Sequence, residues 1–246
     1  MTGSDTPSLG AELLDYTDGE TVFEAFVVRD AARGGRRPCV LLGHDWSGPN
    51  GSMRTITERI AGLGYVGFAL DLYGKGVRGD ELGDNAALMS PLLENRGLLR
   101  RRLLAGYQAA ASHAGVDPER IVIVGYCFGG LCALDLARAA PPRLRGAVSI
   151  HGILKPPAIG RQLPITASIL LLHGWEDPMA PREDVLAIAT ELTDAGADWQ
   201  LHAHGHAMHA FTFAKAAMPE RGIAYNAAAD RRSWQAMATF LGEVLA

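Results

Sequence analysis

Cysteine is scarce in this chain: only Cys39, Cys127 and Cys132 occur. An odd set without regular spacing builds no disulfide framework, so the small bridged secreted scaffolds are excluded and a reducing compartment fits. Cys127 and Cys132 flank a turn and a helix start, where a bridge would be strained. An excess of positive charge is also missing. Lys and Arg number 23 against 27 Asp and Glu, a formal net charge of −4, which leaves no electrostatic footprint for nucleic acid. Long hydrophobic runs are absent too. None approaches the roughly 18 residues of a membrane span. The stretch Met1 to Gly10 lacks the basic-then-apolar order of a secretory signal. It is expected to be a frayed tail, and the protein cytoplasmic. Neither an internal repeat nor a linker divides the chain.

What is present is apolar residue in quantity: 48% of 246 residues are hydrophobic and 20% charged, enough to bury one sizeable core as a single α/β domain over 1–246. Short apolar runs predict strands at Leu13–Tyr16, Thr21–Val28, Cys39–Leu42, Tyr65–Leu70, Ile121–Val124, Ala147–Ile150, Ile169–Leu172 and Trp199–His202. Asp18-Gly19 between the first two is a hairpin signal. Helices are predicted from a Ser52 cap through Leu63, around Ala86 to Leu93, over Leu98–His113, Leu131–Ala139, Arg182–Ala195 and Asn226–Val244. Residues 74–97 form an irregular excursion of the kind that walls a pocket. Arg100, Arg101 and Arg102 read as a solvated helix face. Strands alternating with helices give a mainly parallel, doubly wound sheet with helices on both faces, and ligands on such sheets bind beyond the carboxyl ends of the strands.

The most informative stretch is Arg120-Ile-Val-Ile-Val-Gly-Tyr-Cys-Phe-Gly-Gly-Leu131. A short buried strand runs into Gly125-Tyr126-Cys127-Phe128-Gly129-Gly130 and then into helix formers. Strand, sharp turn and helix are the context of a G-x-S-x-G nucleophile elbow, here with cysteine at its centre. Glycine on either side permits the strained turn, and the helix N-terminus favours thiolate over thiol. The alternative is a structural cysteine at a glycine-rich joint. A thiol nucleophile needs a base, and the base an orienting acid. In the hydrolase topology the chain order is nucleophile, acid, histidine. Cys127, then Asp177 after one buried strand, then His209 after another, follow that order.

Gly125-Tyr-Cys-Phe-Gly-Gly130, Asp177-Pro178 after His173-Gly174, and His209-Ala210-Phe211 together resemble the dienelactone hydrolase family, from about Thr21 to Leu245. Asp71-Leu72-Tyr73 and Tyr225-Asn226 to Trp234 belong to the likeness. The resemblance implies an α/β-hydrolase fold and a Cys127–His209–Asp177 triad that cleaves an ester or lactone through a thioester, without cofactor. In this architecture the oxyanion is met by backbone N–H groups, here assigned to Phe128 and Trp46. The chain departs from the family's best-known members twice. Asp45 stands where they carry Glu, with either a role near the thiol or a turn-stabilising one. Phe213 stands where they carry the arginine that binds the lactone's carboxylate, so a neutral or apolar ester is expected rather than dienelactone itself.

Trp175, Phe211 and Phe213 are candidate pocket walls. Residues 202–209, His-Ala-His-Gly-His-Ala-Met-His, contain four histidines but no carboxylate or thiol, so no metal site is expected, and His206 is the fallback for His209. His44, His151 and His173 each end a strand and read as structural, as does Asp71, which precedes the nucleophile. Cys39 and Cys132 read as buried hydrophobes. A small-molecule ester is the expected partner, with no nucleic acid or membrane, and the protein is expected to be a monomer or weak homodimer. Two other readings share the residues: a thioesterase or acyltransferase on the same triad, and a catalytically silent scaffold whose Cys127 responds to oxidants.

Overall fold

The computed structural model describes residues 8–246. Strands β1 (Leu9–Asp18) and β2 (Thr21–Asp30) form an antiparallel hairpin. Asp18 pairs with Thr21 across Gly19, whose φ of +59° is the left-handed conformation a two-residue hairpin turn requires. The first strand is longer than expected. Leu9 and Gly10, read as part of a tail, pair with Asp30 and Arg29. The rest of that expected tail, residues 1–7, lies outside the described residues.

The chain continues through β3 (Arg37–Gly43), α1 (Gly51–Gly62), β4 (Val66–Ala69), α2 (Ala86–Glu94), α3 (Arg96–Ser112) and β5 (Val116–Tyr126). Then follow α4 (Phe128–Arg138), β6 (Leu144–Ile150), β7 (Ser168–Gly174), α5 (Arg182–Asp194) and β8 (Trp199–His204). A small hairpin of β9 (Ala217–Met218) and β10 (Ile223–Ala224) precedes α6 (Ala227–Val244). The main sheet has eight strands in the order β1-β2-β4-β3-β5-β6-β7-β8. Only the pairings of β2 with β1 and with β4 are antiparallel. This is the α/β-hydrolase arrangement.

Successive strand residues point to opposite faces, and the buried strands fill two cores accordingly. Cys39 and Leu41 of β3, Ile121 and Ile123 of β5, and Ile169 and Leu171 of β7 pack with α3, α4 and α5. Their neighbours Val40 and Leu42, Val122 and Val124, Leu170 and Leu172 pack with α1 and α6. Each such side chain, wholly withdrawn from water, contributes about 1.5–3 kcal/mol of hydrophobic transfer. Among the described residues no helix is long and apolar enough to cross a membrane.

Three local expectations change. Helix α1 is capped two residues earlier, by Asn50, whose side chain accepts the Met53 N–H; the Ser52 N–H and hydroxyl instead donate to Glu81. Helix α3 starts at Arg96 because Asn95 caps it and because Arg96 is buried in a two-pronged ion pair with Asp135, both N···O distances 2.6 Å. Arg102 is not part of a solvated face. Its guanidinium donates to the Leu72 carbonyl at 2.6 Å and stacks 5.2 Å from the Phe23 ring, while Arg100 and Arg101 are exposed as expected.

The carboxyl ends of the parallel strands are tied together. The Cys127 N–H donates to the Ile150 carbonyl at 3.0 Å, and the His151 N–H to that of Leu172 at 2.8 Å. The turns that carry Asp45, Cys127, Asp177 and His209 follow β3, β5, β7 and β8 on this one rim. The turn after β5 depends on glycine, because a methyl group at Gly125 would lie 1.8 Å from the Gly129 carbonyl oxygen. That obstacle is backbone and cannot swing aside. Gly125→Ala is therefore expected to lower the unfolding free energy by about 3 kcal/mol or more, read by urea denaturation. A change within about 0.5 kcal/mol, the usual range for a neutral surface substitution, would contradict the close approach.

Candidate active site

Cys127 is the hinge between β5 and α4. Its backbone has φ +56° and ψ −115°, which L-residues rarely adopt. The helix starts at once, at Phe128 rather than Leu131, because Gly129 and Gly130 let α4 lie against neighbouring backbone. A Cβ at Gly129 would stand 2.1 Å from the Gly43 carbonyl oxygen, and one at Gly130 would stand 2.7 Å from the Gly152 Cα. The turn leaves the Cys127 thiol partly exposed at the first turn of α4, where the helix end favours negative charge.

Two distant loops meet that sulfur. The His209 Nε2 lies 3.1 Å from the Cys127 Sγ, and the His209 Nδ1 lies 2.8 Å from the Asp177 Oδ2. His209 and Asp177 are buried. The His209 backbone is held on both sides by the hairpin that follows it: its N–H donates to the Gly222 carbonyl, and its carbonyl accepts the Ala224 N–H. Asp177 also accepts the Met179 N–H at 2.8 Å, which fixes its carboxylate in the turn after β7. Burial by itself depresses the His209 pKa. Negative charge on the Cys127 sulfur and the Asp177 hydrogen bond outweigh it and raise the pKa to about 10. The imidazolium form of His209, between the sulfur and the carboxylate, is the form so favoured.

A second cluster surrounds the turn after β3. The Asp45 carboxylate accepts the Ser47 N–H at 2.8 Å and the Ser47 hydroxyl. Of the two roles open for Asp45, these are the bonds of a turn-stabilising residue. The Tyr73 hydroxyl donates to the Trp46 carbonyl at 2.9 Å, and Gly79 N–H to that of Ser47 at 2.8 Å, so the 74–97 excursion is laced to this turn. Neither the Trp46 N–H nor the Phe128 N–H has an acceptor among the described residues. Phe128 opens α4, where backbone N–H groups have no partner within the helix.

The three candidate pocket walls separate. Phe211 is completely buried, edge-on to His151 and His204 in the core under α6, so it is a packing residue rather than a wall. The 3.6-fold and twofold periodicities that sort buried from exposed faces do not operate in an irregular loop, so sequence alone did not reveal this. Phe213 is partly exposed, and Trp175 is exposed beneath the Arg182 guanidinium. The four histidines also diverge. His202 is exposed, His204 bonds to Ser233, His206 pairs with Glu176, and only His209 reaches Cys127. Among the described residues no group of three or more His, Cys, Asp or Glu is placed to hold a metal. A cavity of about 400 Å³ lies elsewhere, between α4 and the proline-rich 156–163 loop, and none of the candidate residues lines it.

His151, read as a structural residue, packs directly beside the site. Its ring meets that of His209 edge-on at 5.3 Å and bonds to the Thr212 hydroxyl at 2.8 Å. Burial, with the charge of His209 second, holds its pKa well below the ordinary histidine value. The neutral ring thus fills the space behind His209 without competing for its charge.

A sequence profile of the dienelactone hydrolase family matches residues 23–245. A protein of Escherichia coli K12, named provisionally as a carboxymethylenebutenolidase, is 29% identical over 226 residues, 87% of this chain and 79% of that protein. An uncharacterised protein of Caenorhabditis elegans is 36% identical over 155 residues, 62% of this chain and 98% of its own. Among solved structures, the dienelactone hydrolase-like promiscuous phosphotriesterase P91 from metagenomic libraries superposes with a TM-score of 0.87. The two share 30% identity, with 97% of this chain and 99% of that one covered.

The raised His209 pKa has a direct consequence for the thiol. Imidazolium persists through neutral pH and is lost only as pH rises toward about 10. Alkylation of Cys127 by iodoacetamide, followed by peptide mass, is expected to stay nearly constant between about pH 6 and 9. In His209→Gln it should fall about tenfold per unit below the ordinary thiol pKa of about 8.5. The same steep fall in the unaltered protein would show that imidazolium does not hold the thiolate.

Proposed function

The chain belongs to the dienelactone hydrolase family, and on that premise we propose that it hydrolyses a carboxylic ester or lactone through a thioester on Cys127. The observation that carries this reading is the continuous line from the Cys127 sulfur at 3.1 Å to His209 and at 2.8 Å on to Asp177, set at a strained turn. In the first half-reaction the sulfur attacks the carbonyl carbon. A C–S bond forms and the π electrons move onto the carbonyl oxygen. The Trp46 and Phe128 N–H groups stabilise that oxyanion. Its collapse expels the alcohol oxygen, which takes the proton from the His209 imidazolium. Water then attacks the thioester carbonyl with His209 as its base, and the Cys127 thiolate leaves as the acid is released. Asp177 fixes the imidazole tautomer and stabilises the imidazolium throughout.

Substrate class follows from the residue four positions after His209. Phe213 offers no charge for a carboxylate, which supports a neutral or apolar acyl or alcohol group. The phosphotriesterase relative adds one further electrophile worth assaying, a phosphotriester. A thioesterase or acyltransferase would share the first half-reaction and differ only in the group attacked or the acceptor. A purely redox role for Cys127 would leave the buried Asp177–His209 pair without a task. Three free cysteines, two of them buried, support a reducing and hence cytoplasmic location.

Short p-nitrophenyl and naphthyl esters test the proposal. The unaltered protein should turn them over, and Cys127→Ala should lose at least about 10³-fold in kcat. Turnover that survives the alanine substitution would exclude the thioester route. Absence of turnover across esters and lactones, with reversible oxidation of Cys127, would favour the redox reading.

A further inference from the structure

We infer that His44 is a positioning residue that orients and polarises the peptide unit whose N–H meets the oxyanion. The inference rests on the proposed thioester route and assigns one more residue to it. The peptide joining Asp45 to Trp46 carries two groups of interest, the Asp45 carbonyl and the Trp46 N–H. The His44 Nδ1 lies 2.6 Å from that carbonyl oxygen, and the Leu72 N–H donates to the His44 Nε2 at 3.2 Å. A carbonyl can only accept and a backbone N–H can only donate, so the two partners together define one tautomer: proton on Nδ1, lone pair on Nε2. A hydrogen bond accepted by a peptide carbonyl draws electron density toward the oxygen and makes the N–H of the same peptide a stronger donor.

The surroundings hold the ring in that state. His44 is completely buried, its ring 4.6 Å from that of Tyr73 and 6.0 Å from that of Phe128. The charged groups facing it are Asp71, Asp45 and Arg78. Burial, the largest influence, lowers its pKa below the ordinary histidine value despite the two carboxylates. Protonation would also point an N–H at the Leu72 N–H. The next peptide along is fixed by the Tyr73 hydroxyl on the Trp46 carbonyl. Trp46 N–H is thus held between two anchored carbonyls and is itself free to donate, as an oxyanion donor must be before charge develops.

Two substitutions separate this role from plain packing. In His44→Asn the amide nitrogen takes the place of Nδ1 and can still donate to the Asp45 carbonyl, while the Leu72 N–H loses its acceptor. In His44→Gln the longer amide reaches the Nε2 position and serves Leu72, while the Asp45 carbonyl loses its donor. For a chromogenic ester, His44→Gln is expected to lose about tenfold in kcat with KM within about twofold, part of the 10²–10³ lost when a donor itself is removed. His44→Asn should stay within about threefold of the unaltered protein, and thermal unfolding should find it the less stable of the two, because the Leu72 N–H is left without its acceptor. Alkylation of Cys127 by iodoacetamide, a displacement that builds no oxyanion at a carbonyl, should change by less than about twofold in both. A fully active His44→Gln, equal losses in both variants, or hydrolysis and alkylation falling in parallel would each overturn the inference. Hydrolysis that persists in Cys127→Ala would instead bring down the thioester route; hydrolysis that requires Cys127 but ignores His44→Gln would bring down this inference alone.

Discussion

Three backbone segments approach within contact distance at one point, and the site exists because they do. Gly125 at the end of β5, Gly129 in the first turn of α4 and Gly43 at the end of β3 pack backbone to backbone, with no room for a side-chain carbon at Gly125 or Gly129. That approach over-determines the turn between them and keeps Cys127 in a conformation an L-residue avoids. The same crowding brings the turn after β3, with its Trp46 N–H, beside the start of α4, with its Phe128 N–H. The strain is stored locally and offset by two well-packed cores on either face of the sheet.

Electrostatics complete what packing begins. A buried histidine ordinarily loses its charge, and both His44 and His151 follow that rule. His209 departs from it because the Cys127 sulfur and the Asp177 carboxylate flank its ring. Three imidazoles at one rim of the sheet therefore divide between two states, set by their neighbours. One is charged between Cys127 and Asp177, one neutral between a carbonyl and an N–H, and one neutral against Thr212. On the proposed route the charged ring handles protons, whereas the neutral ones hold positions. Placing a second charge at His151, edge-on to His209, would set two cations 5.3 Å apart in a dry interior.

Much of this was legible in the sequence for identifiable reasons. Strands buried on both faces announce themselves as unbroken apolar runs, so Cys39–Leu42, Ile121–Val124 and Ile169–Leu172 were located within the observed elements. Chain order and turn glycines singled out Cys127 and Asp177, and the His-x-Phe pattern of the family resemblance chose His209 among four neighbouring histidines. What escaped depended on partners far along the chain. The Arg96–Asp135 pair, 39 residues apart, moved a helix start. Phe-Gly-Gly reads as a poor helix opening, yet α4 begins there because only glycine fits beneath the neighbouring strands. Arg102 looked solvated because its acceptor, the Leu72 carbonyl, is a backbone atom with no sequence signature. Phe211 looked like a pocket wall because an aromatic in an irregular loop gives no sign of which way it faces. The role of His44 depends on a tautomer, which only the two atoms beside its ring can specify.

The central claim is that the acyl group passes through the sulfur of Cys127. Rapid acid quench during a first turnover of a chromogenic ester, followed by peptide mass spectrometry, addresses it most directly. The account predicts a peptide containing Cys127 heavier by the acyl group, appearing before the free acid and decaying as the acid forms. Acid formed from the first turnover onward, with the Cys127 peptide unmodified at every time sampled, would contradict it.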